Sequence, residues 1–330
     1  MLNPDQKLSA KLFAPDMAQV ATRDGFGDGL VLAGEQDKNV VALCADLTES
    51  TRAQKFAEKF PERFFEIGVA EQNLATIAAG LGISGKIAFI SSYASFSPGR
   101  NWEQIRTTIA YNDSNVKIAG AHAGISVGPD GATHQAVEDI ATMRVMANMR
   151  VFVPMDAVEA KKATLAAAKL WGPVYIRLGR EKTPVISTEE TPFTPGKAEL
   201  LWEGKKPEAA IVGCGSLLYN ALLAARELEK EGIGVLVLNS HTVKPLDEAA
   251  VLAVAKGTGA VVTVEEHQVT GGLGGAVAEL LVRKLPTPVE FVGMQNVFGE
   301  SGTPSELIEK YGMGARSIVA AVKRVIKRKK

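Results

Sequence analysis

The chain has 330 residues, 46% of them hydrophobic, so it can bury a sizeable core, and the usual domain size of ~100 to 200 residues suggests two units. Lys plus Arg and Asp plus Glu stand at 37 each, so no overall field draws the protein to nucleic acid or to a membrane, and the basic end KRVIKRKK reads as a solvated helix terminus. No stretch approaches the ~18 apolar residues of a membrane span, MLNPDQKLSAKLF has no signal-peptide core, and Cys44 and Cys214 lie far apart in apolar runs, which together predict a soluble cytoplasmic protein with buried, inert thiols.

Along the chain, short runs rich in Val, Ile and Ala alternate with longer helical patterns, the signature of a parallel sheet covered on both faces. The fold class is α/β. A helix is expected over 17–35, followed by the strand VVALCAD (40–46), a helix over 71–82 and the strand IAFISS (87–92). Next come a helix over 101–111, the strand VKIAGAH (116–122), a helix over 135–146, RVFVP (150–154), a helix over 156–170 and PVYIRLG (173–179). TEETPFTPGK, residues 188–197, is rich in Pro, Thr and charge and interrupts the alternation as a linker. A second alternation follows: AAIVGCG (209–215), a helix over 216–230, IGVLVLNS (233–240), GAVVTVEE (259–266) and a helix after GGLGG. The division is therefore 1–190 and 191–330, each a mostly parallel sheet flanked by helices.

Loops at the carboxyl ends of such strands form the usual ligand crevice. The unusual polar residues fall there: Asp46 to Ser50 after one strand, Glu71 before a helix, Tyr93 and Phe96 after another strand, His122 to His134 after a third, and Arg180 after PVYIRLG. Taken singly, each has a plain alternative. Glu71 in a first helical turn is ordinarily a charge that favours the dipole. DGATHQ (130–135) is either a turn capped by Thr133 or an Asp130 and His134 pair able to hold hydroxyls and move protons near neutral pH. His122 ends an apolar strand, where a satisfied core histidine is common. Arg23, Ser50 and Arg180 are surface residues or donors suited to a phosphate, arginine through its planar fork. Tyr93 and Phe96 are core aromatics or a flat apolar slot for a heteroaromatic ring.

ADLTES with Asp46 and Ser50, GVAEQN with Glu71, WEQIR at 102–106 and GPDGATHQ with Asp130 and His134 resemble the pyrimidine-binding and C-terminal domains of the transketolase family, whose members use thiamine diphosphate. The resemblance runs over nearly the whole chain and is strongest from about Thr22 to Arg180. GVAEQN and the DG-THQ stretch are shared with deoxyxylulose-phosphate synthases, but His122 in AGAHAGISVG favours transketolase, and the histidine motif of 2-oxoacid dehydrogenase beta subunits is absent. The resemblance implies that Glu71 hydrogen-bonds the cofactor's aminopyrimidine and promotes its imino tautomer, a role suited to a partly buried carboxyl because low polarity strengthens the bond. It places Tyr93 and Phe96 on the pyrimidine face and Asp46 near the cofactor. It gives Asp130 and His134 to the donor's hydroxyl and carbonyl oxygens, and Arg23, Ser50, His122 and Arg180 to the sugar phosphate. Tyr93 stands where phenylalanine is frequent, Ala132 where proline is usual, and one residue is inserted around Ser97-Pro98-Gly99.

In this family, diphosphate and Mg²⁺ bind a separate domain carrying Gly-Asp-Gly and a downstream Asn pair, the metal held by oxygen ligands. The chain contains Gly27-Asp28-Gly29, but inside an expected helix, with no strand before it and no Asn pair at the family's distance. The resemblance thus implies a split enzyme of carbohydrate metabolism: a separate N-terminal subunit supplies diphosphate and Mg²⁺ or another divalent ion, and this chain holds no metal. The small-residue helix over 71–82 suits self-association, giving an α2β2 heterotetramer that acts on sugar phosphates. The alternatives are a deoxyxylulose-phosphate-synthase-like or other thiamine diphosphate ligase subunit, or a non-catalytic scaffold. EEHQVTGGLGGAVAEL (265–280) is either an anion cradle opening a helix or a structural turn, and the second domain is expected to serve mainly in subunit packing.

Overall fold

In the computed structural model, which describes residues 1–329, the chain builds a sheet of seven strands, one of five and a small two-stranded ribbon. The first sheet runs Thr242–Lys244, Arg150–Phe152, Val174–Arg177, Val116–Ala121, Ile87–Tyr93, Val40–Cys44, Phe64–Glu66. All its pairings are parallel except the edge pairing of Thr242–Lys244 with Arg150–Phe152. Val40–Cys44 and Val116–Ala121 are buried at every position, because helices cover both faces, and this is why they read as unbroken apolar runs. The second sheet runs Val289–Met294, Val261–Gln268, Pro207–Gly213, Gly234–Asn239, Glu199–Glu203, parallel but for its last strand. The fold is α/β with two domains, and among the described residues no helix is long and apolar enough to cross a membrane.

The two halves interlock. Thr242–Lys244 from the second half completes the edge of the first sheet. In return, the N-terminal segment crosses to the second domain, where the Asn3 amide donates to Leu201 O (2.9 Å) and Leu12 and Met17 join the core around Leu201 and Trp202.

Three helices differ from their sequence expectation. The first starts at Thr22, not at residue 17, because Gln19–Ala21 pairs antiparallel with Lys182–Pro184 as a short strand. The helix expected over 135–146 shrinks to Asp139–Arg144, since Ala136 is drawn into a bridge with Ala123 and its carbonyl accepts from Gly124. The segment 101–111 opens with Trp102–Gln104 and widens into a π-helical turn over Ile105–Ala110. There the Thr107 and Thr108 hydroxyls bond back to the carbonyls of Glu103 and Gln104, a pattern that bends helices.

The Gly27-Asp28-Gly29 triplet has a packing role. It lies in the helix Thr22–Gln36, which crosses Ala157–Lys169 so closely that a Cβ on Gly29 would meet Lys161 O at 2.9 Å, and one on Gly25 would meet Ala157 O at 1.9 Å. Asp28 pairs with Lys55 at the surface.

At the junction of the domains, Glu159, Glu199 and His241 are buried with their ligand-type atoms within 4.8 Å of one another. Hydrogen-bond donors occupy the space between them. Asn239 Nδ2 donates to Glu159 Oε1 (2.7 Å) and lies 3.5 Å from Glu199 Oε2, while His241 Nε2 shares a hydrogen bond with Glu199 Oε1 (3.0 Å). The His241 ring stacks on Phe193 of the linker at 4.2 Å. Burial pushes the Glu159 carboxyl up to about 7 and that of Glu199 up to about 8, from an ordinary 4.5, and it pushes the His241 imidazole down. Protons therefore neutralise the carboxyls in the folded protein at pH values where the unfolded chain has lost them. The stabilisation is complete below about pH 4.5 and is lost as pH rises through the folded values. The thermal midpoint is expected to fall as pH is raised from about 5 to about 8.5, and Glu199→Gln is expected to flatten that slope, as calorimetry across pH would measure.

Candidate active site

The parallel strands of the first sheet deliver their following loops to one edge, and a chain of side-chain contacts runs along it. Glu71 opens the helix Glu71–Ile83 after Phe64–Glu66, with its side chain 5% exposed. Among the described residues its carboxylate meets one cation, Arg100, whose Nη1 lies 3.3 and 3.5 Å from the two oxygens and is itself half exposed. Asn101 Nδ2 donates to the Glu71 carbonyl (2.9 Å) and to Ser97 Oγ (3.1 Å), tying the start of this helix to the loop after Ile87–Tyr93.

From Arg100 the chain of contacts continues through aromatic rings. The Arg100 guanidinium lies 4.3 Å over the Phe96 ring, Phe96 lies near-parallel to Tyr93 at 5.8 Å, and Tyr93 stacks on His122 at 3.8 Å. The His134 imidazole stands edge-on to Phe96 (5.5 Å) and to Tyr93 (6.3 Å). His122 Nε2 is 3.4 Å from Arg23 Nη1, which also donates to Ser50 O (2.8 Å). Glu71, Phe96, Tyr93, His134, His122, Arg23 and Ser50 are thus joined, Ser50 through its carbonyl. Arg180 donates to Val127 O (2.7 Å) and lies 3.7 Å from Asp130. Asp46 stands apart: it is exposed, in left-handed backbone (φ 57°), and its amide donates to Glu66 Oε1 (2.7 Å).

Electrostatics along this edge favours an anion. Burial, reinforced by Arg23, Arg180 and Arg52, pushes the buried His122 imidazole down to about 3, so it is neutral. Arginine only donates, so His122 Nε2 accepts from Arg23 and the ring proton sits on Nδ1. Neither His122 Nδ1 nor Arg23 Nε, both buried, has a partner among the described residues. Two unpaired N–H groups among arginines are the donor set that a phosphate oxygen satisfies, and leaving them unpaired in an apolar setting is costly. Glu71 likewise retains acceptor capacity beyond its long contacts with Arg100, which fits a ring nitrogen donor.

Two features escaped the sequence reading. Arg100 closes the run SSYASFSPGR, of which only the aromatics drew notice, and Arg52 lies between Ser50 and Glu71, where no element was assigned, in left-handed backbone with its Nε on Asp24. The GGLGG turn is structural. The amides of Leu273 and Gly274, at the start of the helix Leu273–Lys284, donate to Glu265 Oε2 (2.7 Å) and Oε1 (2.8 Å), so the chain's own carboxylate fills the cradle an external anion would need.

Residues 18–185 match the transketolase pyrimidine binding domain and residues 196–318 the transketolase C-terminal domain. The chain is 43% identical over 309 residues to a putative transketolase C-terminal section from Methanocaldococcus jannaschii, covering 93% of this chain and 96% of that protein. It is 43% identical over 307 residues to a 6-deoxy-6-sulfo-D-fructose transketolase subunit from a Clostridium species, covering 93% and 95%. A solved structure described as a split gene transketolase, an inactive beta4 tetramer, superimposes with a TM-score of 0.88 at 48% identity, covering 94% of this chain and all of that one. Against the transketolase of Rattus norvegicus (36% identity, 93% of this chain) it spans about half the relative's length, 49%. The chain belongs to the transketolase family and corresponds to its C-terminal section.

The depressed His122 value has a testable sign. A histidine held down favours the fold while neutral, an advantage present above about 6.5 and lost as pH falls toward about 3. His122 is expected to stay neutral from pH 8 to about 5 when its ring protons are followed by NMR, and Arg23→Met or added inorganic phosphate is expected to move its titration upward.

Proposed function

We propose that this chain, as the C-terminal section of a transketolase, works as one half of a two-chain enzyme that transfers a two-carbon ketol unit from a ketose phosphate to an aldose phosphate. The observation that carries the reading is Glu71: a carboxylate 5% exposed, whose one cationic contact among the described residues is a long one to the half-exposed Arg100, the same guanidinium that lies over the Phe96 ring. A buried charge so loosely paired is costly in a scaffold and useful where a ligand completes its bonding.

Thiamine diphosphate, when bound, supplies the electron sink for carbon–carbon cleavage. The chain's own residues bind and orient. Glu71 would hold the aminopyrimidine through its ring nitrogen, Tyr93 and Phe96 would flank that ring, and Asp46 would lie near the cofactor. Asp130 and His134 would hold the donor's hydroxyl and carbonyl oxygens, with His134 exchanging a proton with them. Arg23, Ser50, His122 and Arg180 would hold the sugar phosphate. We assign residues 1–190 to the pyrimidine-binding domain and 191–330 to the C-terminal domain. The diphosphate and its Mg²⁺ or other divalent ion are assigned to a separate N-terminal subunit, and a split-gene relative described as an inactive tetramer supports a chain that does not turn over alone.

Self-association fits the helix Glu71–Ile83, where Ile77 (41%) and Ile83 (60%) are exposed and a Cβ on Gly80 would meet nothing within 4 Å. Two such chains with two N-terminal subunits form the proposed cytoplasmic heterotetramer.

Purified alone with thiamine diphosphate and Mg²⁺, the chain is expected to show no ketol transfer, and mixing with the N-terminal subunit is expected to restore it; full activity of the single chain rejects the split. Glu71→Ala in the reconstituted enzyme is expected to lower kcat by about a hundredfold or more, the scale of a lost proton-transfer partner. An unchanged rate would identify a scaffold, and turnover of pyruvate in place of a ketose phosphate would move the assignment to a synthase.

A further inference from the structure

The loop 123–137 carries Asp130 and His134, and much of what fixes it comes from the second domain. Gln135 is 4% exposed and turns its Nε2 toward three carbonyls: Ile125 O (3.1 Å), Gly128 O (3.4 Å) and Glu300 O (2.9 Å). Carbonyls only accept, so the orientation of the amide is set by its neighbours. Glu300 belongs to the second domain, in the loop before the helix Pro304–Lys310. That loop presses directly on the amide, since a Cβ on Gly299 would come 2.0 Å from Gln135 Oε1. It also presses on the turn beside Asp130: Gly131 has φ +77°, and a Cβ there would meet Ser301 Oγ at 2.7 Å. Farther along, Glu266 Oε1 accepts from the Ser126 amide (2.7 Å), and the Gln268 amide donates to Val137 O (2.8 Å).

The loop is therefore gripped near both ends by the strand Val261–Gln268 and in its middle by Gln135, which ties its two limbs to each other and to Glu300. A rotation there would carry Asp130 and His134 with it. We propose that Gln135 is a positioning residue through which the second domain sets the place of Asp130 and His134, and with it the affinity for the sugar donor. The inference about affinity rests on the donor role proposed above; the clamp itself does not.

The full chain tests the clamp by hydrogen exchange and the reconstituted two-chain enzyme tests its consequence. Gln135→Leu removes the donors, and Gly299→Ala displaces the amide from the other side, so the proposal does not depend on one variant folding. In both, exchange in 125–137, including the Gly131 and His134 amides that bond within the loop, is expected to quicken about tenfold, the scale of one buried hydrogen bond, with the strands unaffected. In the complex the donor KM is expected to rise about tenfold, while the acceptor KM and thiamine diphosphate affinity change less than about twofold. Unchanged exchange overturns the clamp. Accelerated exchange with an unchanged donor KM, or with all three constants moving together, overturns the positioning role. A wild-type complex inert toward every ketose phosphate would reject the donor assignment, while hydrogen exchange would still decide the clamp.

Discussion

A parallel sheet buried on both faces must end every strand at the same edge, and that constraint arranges the rest of this molecule. Because each crossover helix returns the chain to the opposite end, the loops after Val40–Cys44, Ile87–Tyr93, Val116–Ala121 and Val174–Arg177 open side by side although they are far apart in sequence. The strands are apolar and interchangeable in chemistry, whereas the loop residues are polar and specific. His122 shows the cost of the arrangement at one position: it closes its strand in left-handed backbone (φ 55°), which turns the imidazole from the strand toward Arg23 and Tyr93.

Two buried clusters answer the loss of water in opposite ways. Along the loop edge the surplus is cationic, so His122 remains neutral and N–H groups are left without acceptors, which is compatible with an incoming anion. At the domain junction the surplus is carboxylic, and burial raises Glu159 and Glu199 while Asn239 donates into the gap and His241 shares a hydrogen bond with Glu199. In the first cluster the unpaired atoms are donors; in the second Glu159, Glu199 and His241 are all hydrogen-bonded, and Asn239 Oδ1 is left without a partner among the described residues. This difference, more than proximity to a cavity, separates a candidate binding site from a structural junction.

Much of this was legible in the sequence. The α/β alternation follows from runs such as VVALCAD, and the convergence of Glu71, Tyr93, His122 and Arg180 follows from their places at strand ends. What the sequence concealed depends on pairing at long range. Thr242–Lys244 is too short to read as a strand until it meets Arg150–Phe152, and residues 135–138 look helical until Ala136 bridges to Ala123. GGLGG has the local form of an anion cradle, and only the folded strand shows that Glu265 reaches back to fill it. The Arg100 contact with Glu71 spans 29 residues with no periodic pattern to announce it.

The interlocking of the two halves changes what the second domain can do. A domain that served only as packing surface could be joined by apolar contact alone, and its loops would be free to vary where they touch the first domain. Here it contributes an edge strand, the carboxylate of Glu266 and the Glu300 carbonyl, each meeting a specific backbone or amide group of the first domain. Such contacts fix distance and direction together, because a hydrogen bond weakens steeply when either is wrong. Gly299 and Gly131 lie where a methyl group would force these surfaces apart, so the fit depends on what is absent from those side chains as much as on what Gln135 supplies. A loop built this way transmits a shift of the second domain to Asp130 and His134, which makes the relative placement of the domains a determinant of the site itself.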